Sequence, residues 1–336
     1  MSPSSIFSSD SVRGVRAPRA WVVSWVAALA LVLAVEGVAR VLLEPVGDHV
    51  WIYWDDESAA KFGWYREQID AGETPPVLII GDSTGAMNLD PLGFEKSGAP
   101  DVYVLACPAN YPKALQINTL PLLERAPAPK VVIVSQSPWG FVNSRHVERH
   151  ELTTTPTILL RHAKDEFVVT DHVYLSRLYP ARQFLARHWL GGLPVIARPP
   201  HDGFEGLPAR RDRIPYEQLA PIELRPGMPR SGFDRQRLAP LSQLRDLAVR
   251  KEFRMIVTVG PFRSDASDDE GFDELVALQR EAILRLRDGA PDHVELWDLT
   301  GLDLLDDDDF NDPTHLSLEA AFDLGRHLGQ RLTPGS

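Results

Sequence analysis

The sequence predicts an α/β fold: a three-layer, flavodoxin-like parallel sheet with an N-terminal transmembrane helix and a long insertion. The first strand, residues 77–80, is a run of four apolar residues between Pro76 and Gly81. Its length and β-rich composition are typical of a strand buried on both faces. Similar apolar runs then alternate with helical segments, which is the order of a parallel sheet covered by helices.

The segments that follow continue this alternation. We expect further strands at residues 102–106, 131–134, 255–259 and 294–297. We expect helices at residues 90–96, 111–125 with an interruption at Pro121, 234–250 and 272–288. Because parallel strands share one carboxyl edge, polar residues that follow them should meet there, where α/β folds bind ligands.

A serine follows the first strand in the turn Gly81-Asp82-Ser83. Glycine at Gly81 and Gly85 permits close backbone approach, and such a turn exposes a hydroxyl at the carboxyl edge of a sheet. A Gly-Asp-Ser turn without chemistry is the alternative interpretation of this tripeptide.

A second motif lies near the C-terminus, where two residues separate Asp312 from His315. A nucleophilic serine needs a base, and the base needs a partner that holds its tautomer. One turn can present this carboxylate and imidazole to a single point, and Ser317 is suited to begin a C-terminal helix. The alternative is that Asp312 caps that helix and His315 has no catalytic role.

Together, the two motifs resemble those of the SGNH (GDSL-like) hydrolase family. The resemblance covers about residues 76–332 and implies Ser83 as nucleophile, His315 as base and Asp312 as the orienting carboxylate. It implies no cofactor and no metal ion.

Two other blocks of that family are altered in this chain. Where the family has an oxyanion-hole glycine, the chain has Ala109, which still supplies a backbone N–H. Where the family has asparagine after the third strand, the chain has Ser137, preceded by Gln136. The resemblance thus implies an oxyanion hole made by Ser83, Ala109 and either Ser137 or Gln136.

Composition excludes several classes of protein. The formal charge of −12 argues against nucleic acid binding, which needs a basic face. Cys107 is the only cysteine, so an internal disulfide and a thiolate metal site are excluded. The acidic run at residues 306–309 lacks the spacing and the glycine of a calcium loop, so we predict a solvated turn and no metal site.

The N-terminus predicts a signal anchor. Residues 20–35 carry no charge, and Arg13, Arg16 and Arg19 precede them. We therefore expect a cytoplasmic tail at 1–19, a transmembrane helix at 20–43 and the remainder outside the cytoplasm, either periplasmic or at the cell surface. A signal peptide cleaved near residues 37–39 is the alternative.

Residues 44–75 are predicted to be a juxtamembrane neck rich in aromatic residues. These residues are expected either to form a membrane-interface belt or to pack a helix on the domain. The α/β domain is expected at 76–335, and residues 141–230 interrupt its strand–helix order with many arginines and prolines. We interpret that insertion as a cap over the site, with a partly disordered excursion as the alternative.

These features predict an extracytoplasmic serine esterase that acts through an acyl-enzyme on an acyl ester. One alternative is an O-acyltransferase that modifies an envelope carbohydrate, since the single anchor and altered oxyanion blocks resemble D-alanine transfer proteins and polysaccharide O-acetyltransferases. Another is a catalytically silent envelope assembly or binding component, because a fold does not fix a function.

Overall fold

The computed structural model describes residues 19–43, 56–108, 110–142 and 233–333. The helices in these ranges are α1 (Arg19–Leu43), α2 (Asp56–Asp70), α3 (Ser83–Asn88), α4 (Pro91–Lys96), α5 (Pro112–Asn118), α6 (Leu120–Arg125), α7 (Ala239–Lys251), α8 (Ser264–Ser267), α9 (Glu270–Asp288) and α10 (Leu318–Gln330). The strands are β1 (Val77–Gly81), β2 (Val102–Val104), β3 (Val131–Ser135), β4 (Arg254–Val259), β5 (Val294–Asp298), β6 (Phe310–Asp312) and β7 (His315–Leu316).

The first five strands form one parallel sheet in the order β2-β1-β3-β4-β5. This is the flavodoxin-like order, in which the chain reverses direction across the sheet after β2. The predicted α/β class and parallel sheet are confirmed. Every one of these strands therefore ends at the same edge, and β1 lies between β2 and β3.

Helices cover both faces of the sheet. Leu78 and Ile80 of β1 point into an apolar cluster shared with α2, α5, α7 and α9. Val77 and Ile79 point to the opposite face, into a cluster shared with α4 and α10. Because alternate residues of β1 are buried on different faces, its uninterrupted apolar sequence is explained by the layers on either side.

Some boundaries differ from those expected. The helical stretch at 111–125 breaks at Thr119, so that Pro121 lies in the first turn of α6. Proline is tolerated there because an N–H in the first turn would have no partner within the helix. Residues 235–238 form a 3-10 helix ahead of α7. The antiparallel pair β6–β7 was not predicted, because two strands of three and two residues carry no periodic pattern.

Helix α2 packs against the sheet as part of the α/β unit. Phe62 and Tyr65 are buried, and Trp64 stacks on Tyr103 of β2 with ring centroids 4.0 Å apart. The structure therefore shows that Trp64 and Tyr65 pack on the α/β domain. The other aromatic residues of the predicted neck lie outside the described residues.

Helix α1 presents exposed apolar side chains, including Trp21, Val23 and Trp25. In the described ranges, no helix meets the length and hydropathy required to cross a membrane. The signal anchor at 20–43 stays a prediction. The cap predicted at 141–230 lies outside the described residues apart from Phe141 and Val142.

Candidate active site

The turn after β1 requires glycine. Gly81 has a φ of +131°, and a side chain there would place its Cβ 1.7 Å from the carbonyl oxygen of Ser135. The backbone N–H of Asp82 donates to that same carbonyl, at 3.1 Å. The close approach of β1 to β3 thus fixes the position from which Ser83 begins α3.

The β6–β7 hairpin brings the C-terminal motif to this turn. Asp312 and His315 are paired residues in the hairpin. The Nε2 atom of His315 lies 2.8 Å from the hydroxyl oxygen of Ser83, and its Nδ1 atom lies 2.7 Å from Oδ2 of Asp312. The structure therefore brings together the serine, histidine and aspartate that the two sequence motifs carry, although 232 residues separate Ser83 from His315.

These contacts assign the tautomer of the imidazole. An ionised carboxylate only accepts hydrogen bonds, so Nδ1 of His315 carries the proton and donates it to Asp312. The Nε2 atom is then an acceptor for the hydroxyl of Ser83. This is the arrangement in which the imidazole can remove the serine proton.

The carboxyl of Asp312 is mostly buried yet ionised. Burial raises its pKa, but the hydrogen bond and the electrostatic interaction with His315, together with the backbone N–H groups of Thr314 and His315, outweigh burial. The pKa of Asp312 consequently lies below its ordinary value. Both N–H groups donate to Oδ1 at 3.0 Å, which leaves Oδ2 for the imidazole.

Asn88 holds the histidine from the other end of α3. Its side-chain Nδ2 donates to the carbonyl of Thr314 at 2.8 Å, and its Oδ1 accepts from the N–H of Leu316 at 2.9 Å. These two backbone groups flank His315. Since α3 begins with Ser83 and ends with Asn88, a single six-residue helix carries the serine and clamps the loop of its base.

Asp82 joins the serine turn to the end of β3. Its side chain is fully buried, and it accepts hydrogen bonds from the N–H and hydroxyl of Thr84 and from the N–H and hydroxyl of Ser137, all between 2.8 and 3.0 Å. A buried carboxylate with four donors is well compensated. Both donors of Ser137 are engaged by Asp82, and so they are not directed to a substrate as the expected oxyanion role requires.

The other expected oxyanion residues have different positions. Gln136 is buried, and its Nε2 donates to the carbonyl of Asn110 at 2.9 Å, so in this arrangement it supports the loop after β2. Ala109 lies outside the described residues. The N–H of Ser83, at the first position of α3, has no acceptor in the described part of the chain and is the available donor.

Helix α2 also contributes to this edge of the sheet. Lys61 is fully buried, and its Nζ donates to the carbonyl of Ala106 at 2.9 Å. Cys107, the next residue, donates its N–H to the carbonyl of Gly81 at 3.2 Å. The loop after β2 is thereby tied to the serine turn and to a helix that precedes the whole sheet in sequence.

In the ranges that the structure describes, no three His, Cys, Asp or Glu side chains are grouped to hold a metal ion. No protein-family model matches the sequence, and no curated protein matches it at a significant level. The geometry of the site is therefore the observation that bears on function.

Proposed function

We propose that this chain is a serine esterase of the SGNH type that cleaves an acyl ester through a covalent acyl-enzyme. The observation that supports it best is the continuous hydrogen-bonded path from Ser83 through His315 to Asp312. Ser83 is half-buried, so part of this residue is exposed to solvent in the described part of the chain. The sheet order and the position of the serine after β1 support the family assignment.

In the first step, His315 Nε2 takes the proton of Ser83 as the serine oxygen bonds to the ester carbonyl carbon. Asp312 stabilises the imidazolium that forms. The N–H of Ser83, and that of Ala109 as the resemblance implies, would stabilise the oxyanion. The bond to the alcohol oxygen then breaks, that oxygen takes the proton from His315, and the acyl group remains on Ser83.

In the second step, a water molecule gives its proton to His315 while its oxygen attacks the acyl carbon. The bond to Ser83 breaks, the serine recovers its proton from His315, and a carboxylic acid leaves. An alcohol that replaces water in this step makes the same residues an acyltransferase. The altered oxyanion blocks predict a slow enzyme, because loss of one donor costs about a hundredfold or more in rate.

We also propose that the site lies outside the cytoplasm. The uncharged run at 20–35 and the arginines before it favour a single-pass anchor with the α/β unit outside the cytoplasm.

The test is hydrolysis of p-nitrophenyl acetate by the full-length chain in detergent micelles. We expect turnover and an acetyl adduct on Ser83 in intact-protein mass spectrometry. Ser83→Ala should abolish both. A folded wild-type chain with rates equal to Ser83→Ala would instead favour the catalytically silent binding component.

A further inference from the structure

A cavity of about 430 Å³ opens between the loops that follow β4 and β5. Ligand sites for small molecules typically measure about 300–1,000 Å³. The cavity lies at the carboxyl edge of the sheet, where open α/β folds bind their ligands. Nothing in the esterase step described above uses its residues.

The cavity adjoins the β6–β7 hairpin that carries Asp312 and His315. Phe262 and Ser264 line it, and the intervening Arg263 donates its backbone N–H to the carbonyl of Pro313 at 3.0 Å. Phe310, two residues before Asp312, also lines it. A molecule in the cavity would thus lie against the same hairpin that presents Asp312 and His315 to Ser83.

Fixed donors and acceptors lie around the cavity. Arg280 donates from Nε to Asp298 at 2.6 Å and from a terminal nitrogen to Thr300 at 2.9 Å, which holds the guanidinium in place. Asp307 accepts from both the N–H and the hydroxyl of Ser264. Asp273 is exposed, and no side chain within the described ranges pairs with its carboxylate.

The charges disfavour an anionic ligand. Among the described residues, Asp273, Asp306 and Asp307 line the cavity with one cation, Arg280, which Asp298 already neutralises. The lining therefore has a net negative charge that repels anions. The cavity is also poorly suited to bind a compact cation, because Asp307 accepts hydrogen bonds from Ser264 and the guanidinium of Arg280 lies in the same cavity.

Apolar side chains form the rest of the wall. Phe262 and Phe272 meet edge to face with ring centroids 4.9 Å apart, and Leu299 and Val276 are buried beneath the cavity. Aromatic and aliphatic surface suits a C–H face, while carboxylates and a guanidinium suit hydroxyl groups that both donate and accept. A neutral molecule with several hydroxyls on an apolar ring frame matches all of these groups.

We propose that this cavity is a subsite for a neutral polyhydroxylated unit, such as a hexopyranoside, in the alcohol part of the ester. The inference rests on the proposed function. In hydrolysis the unit belongs to the departing alcohol, and in transfer to the accepting one, so both directions of the chemistry use the same subsite.

Binding to the full-length Ser83→Ala chain in detergent micelles tests the subsite without turnover. The probes are methyl β-D-glucopyranoside, methyl β-D-galactopyranoside and methyl α-D-mannopyranoside, observed by saturation-transfer NMR. Adding Asp273→Trp places a large side chain at an exposed position of the cavity lining, and we expect it to weaken glycoside binding about tenfold or more. Adding Asp268→Trp, an exposed aspartate outside the lining, is the matched control and should leave binding unchanged.

Saturation transfer to at least one glycoside, lost with Asp273→Trp and kept with Asp268→Trp, would support the subsite. No transfer to any of the three, or equal transfer in both variants, would overturn it. Labelling of wild-type Ser83 by a fluorophosphonate reports on the serine separately. Labelling without glycoside binding would remove only this inference, whereas binding without labelling would remove the proposed acyl chemistry.

Discussion

Asn88 holds His315 through the backbone groups on either side of it, the carbonyl of Thr314 and the N–H of Leu316. These two hydrogen bonds connect Asn88 to residues that lie 226 and 228 positions further along the sequence. Because Asn88 ends the helix that Ser83 begins, a displacement of the hairpin would change the distance between the serine and its base.

We therefore expect Asn88→Ala to lower kcat about a hundredfold while KM changes little, because a small misplacement of a catalytic group has costs of this size. It also leaves two backbone groups without a partner, which should reduce the free energy of unfolding by about 1–3 kcal/mol. Ester hydrolysis kinetics and urea unfolding measure the two effects.

The matched control is Lys251→Met, which removes hydrogen bonds from Nζ to three backbone carbonyls at the C-terminal end of α6, near the starts of β3 and β4 and so at the edge of the sheet opposite the site. It should lower stability without the loss of kcat. Equal losses of kcat in the two variants would show that Asn88 acts only through general stability.

Asp312→Asn should lower kcat about a thousandfold or more, because the amide favours the imidazole tautomer with its proton on Nε2, where it cannot accept from Ser83. Steady-state hydrolysis of p-nitrophenyl acetate measures this change. Asp303→Asn, at an exposed position of the preceding loop, serves as the control and should retain wild-type rates. Retention of more than about a tenth of the wild-type kcat by Asp312→Asn would contradict the assigned role of this carboxylate.

Asp82→Ala should destabilise the fold, because it leaves the buried donors of Thr84 and Ser137 without their acceptor. We expect a loss of about 2–4 kcal/mol in the free energy of unfolding by urea. Ser83→Ala, at the adjacent half-buried position, should change it by less than about 0.5 kcal/mol. Similar midpoints for the two variants would argue against Asp82 as the link between β1 and β3.

The ionisation of buried Tyr65 should lower the free energy of unfolding at alkaline pH. Burial raises the pKa of its hydroxyl to about 12, partly opposed by a hydrogen bond with Thr74. The folded chain thus keeps a proton that the unfolded chain loses near its ordinary pKa of about 10, so stability is full below that pH and falls as the pH rises toward the folded pKa.

The matched variant is Tyr65→Phe, which cannot ionise. At pH 8 we expect it to be less stable than the wild type by about 1 kcal/mol, through loss of the hydrogen bond. At pH 11 the difference should shrink or reverse, because only the wild type has an ionisable group there. A constant difference between the two pH values, measured by urea unfolding, would contradict the burial of this hydroxyl.

Local patterns in the sequence were sufficient for the five strands of the parallel sheet and for the three residues that meet at the site. The apolar run of β1 and the turn at Ser83 are contiguous in the sequence, and only two residues separate Asp312 from His315. The orders of strands and helices then imply that both motifs lie at one edge of the sheet. The broad α/β prediction succeeded for this reason.

The residues that support the site carry no such pattern. Asn88 follows the serine turn as an ordinary polar residue, and its partners are backbone groups of the distant hairpin. Lys61 precedes the predicted domain and donates to the carbonyl of Ala106 in the loop after β2. The engagement of Ser137 by Asp82 likewise depends on the spacing of β1 and β3, which only the folded chain defines.

The activation of Ser83 is tested most directly by fluorophosphonate labelling of the full-length chain, comparing wild type with Ser83→Ala, His315→Ala and the remote serine variant Ser242→Ala. An activated Ser83 predicts labelling of wild type and Ser242→Ala, none of Ser83→Ala, and labelling of His315→Ala slowed at least about a thousandfold. Equal labelling of all four chains, or no labelling of a folded wild-type chain, would contradict the claim that His315 activates Ser83 as a nucleophile.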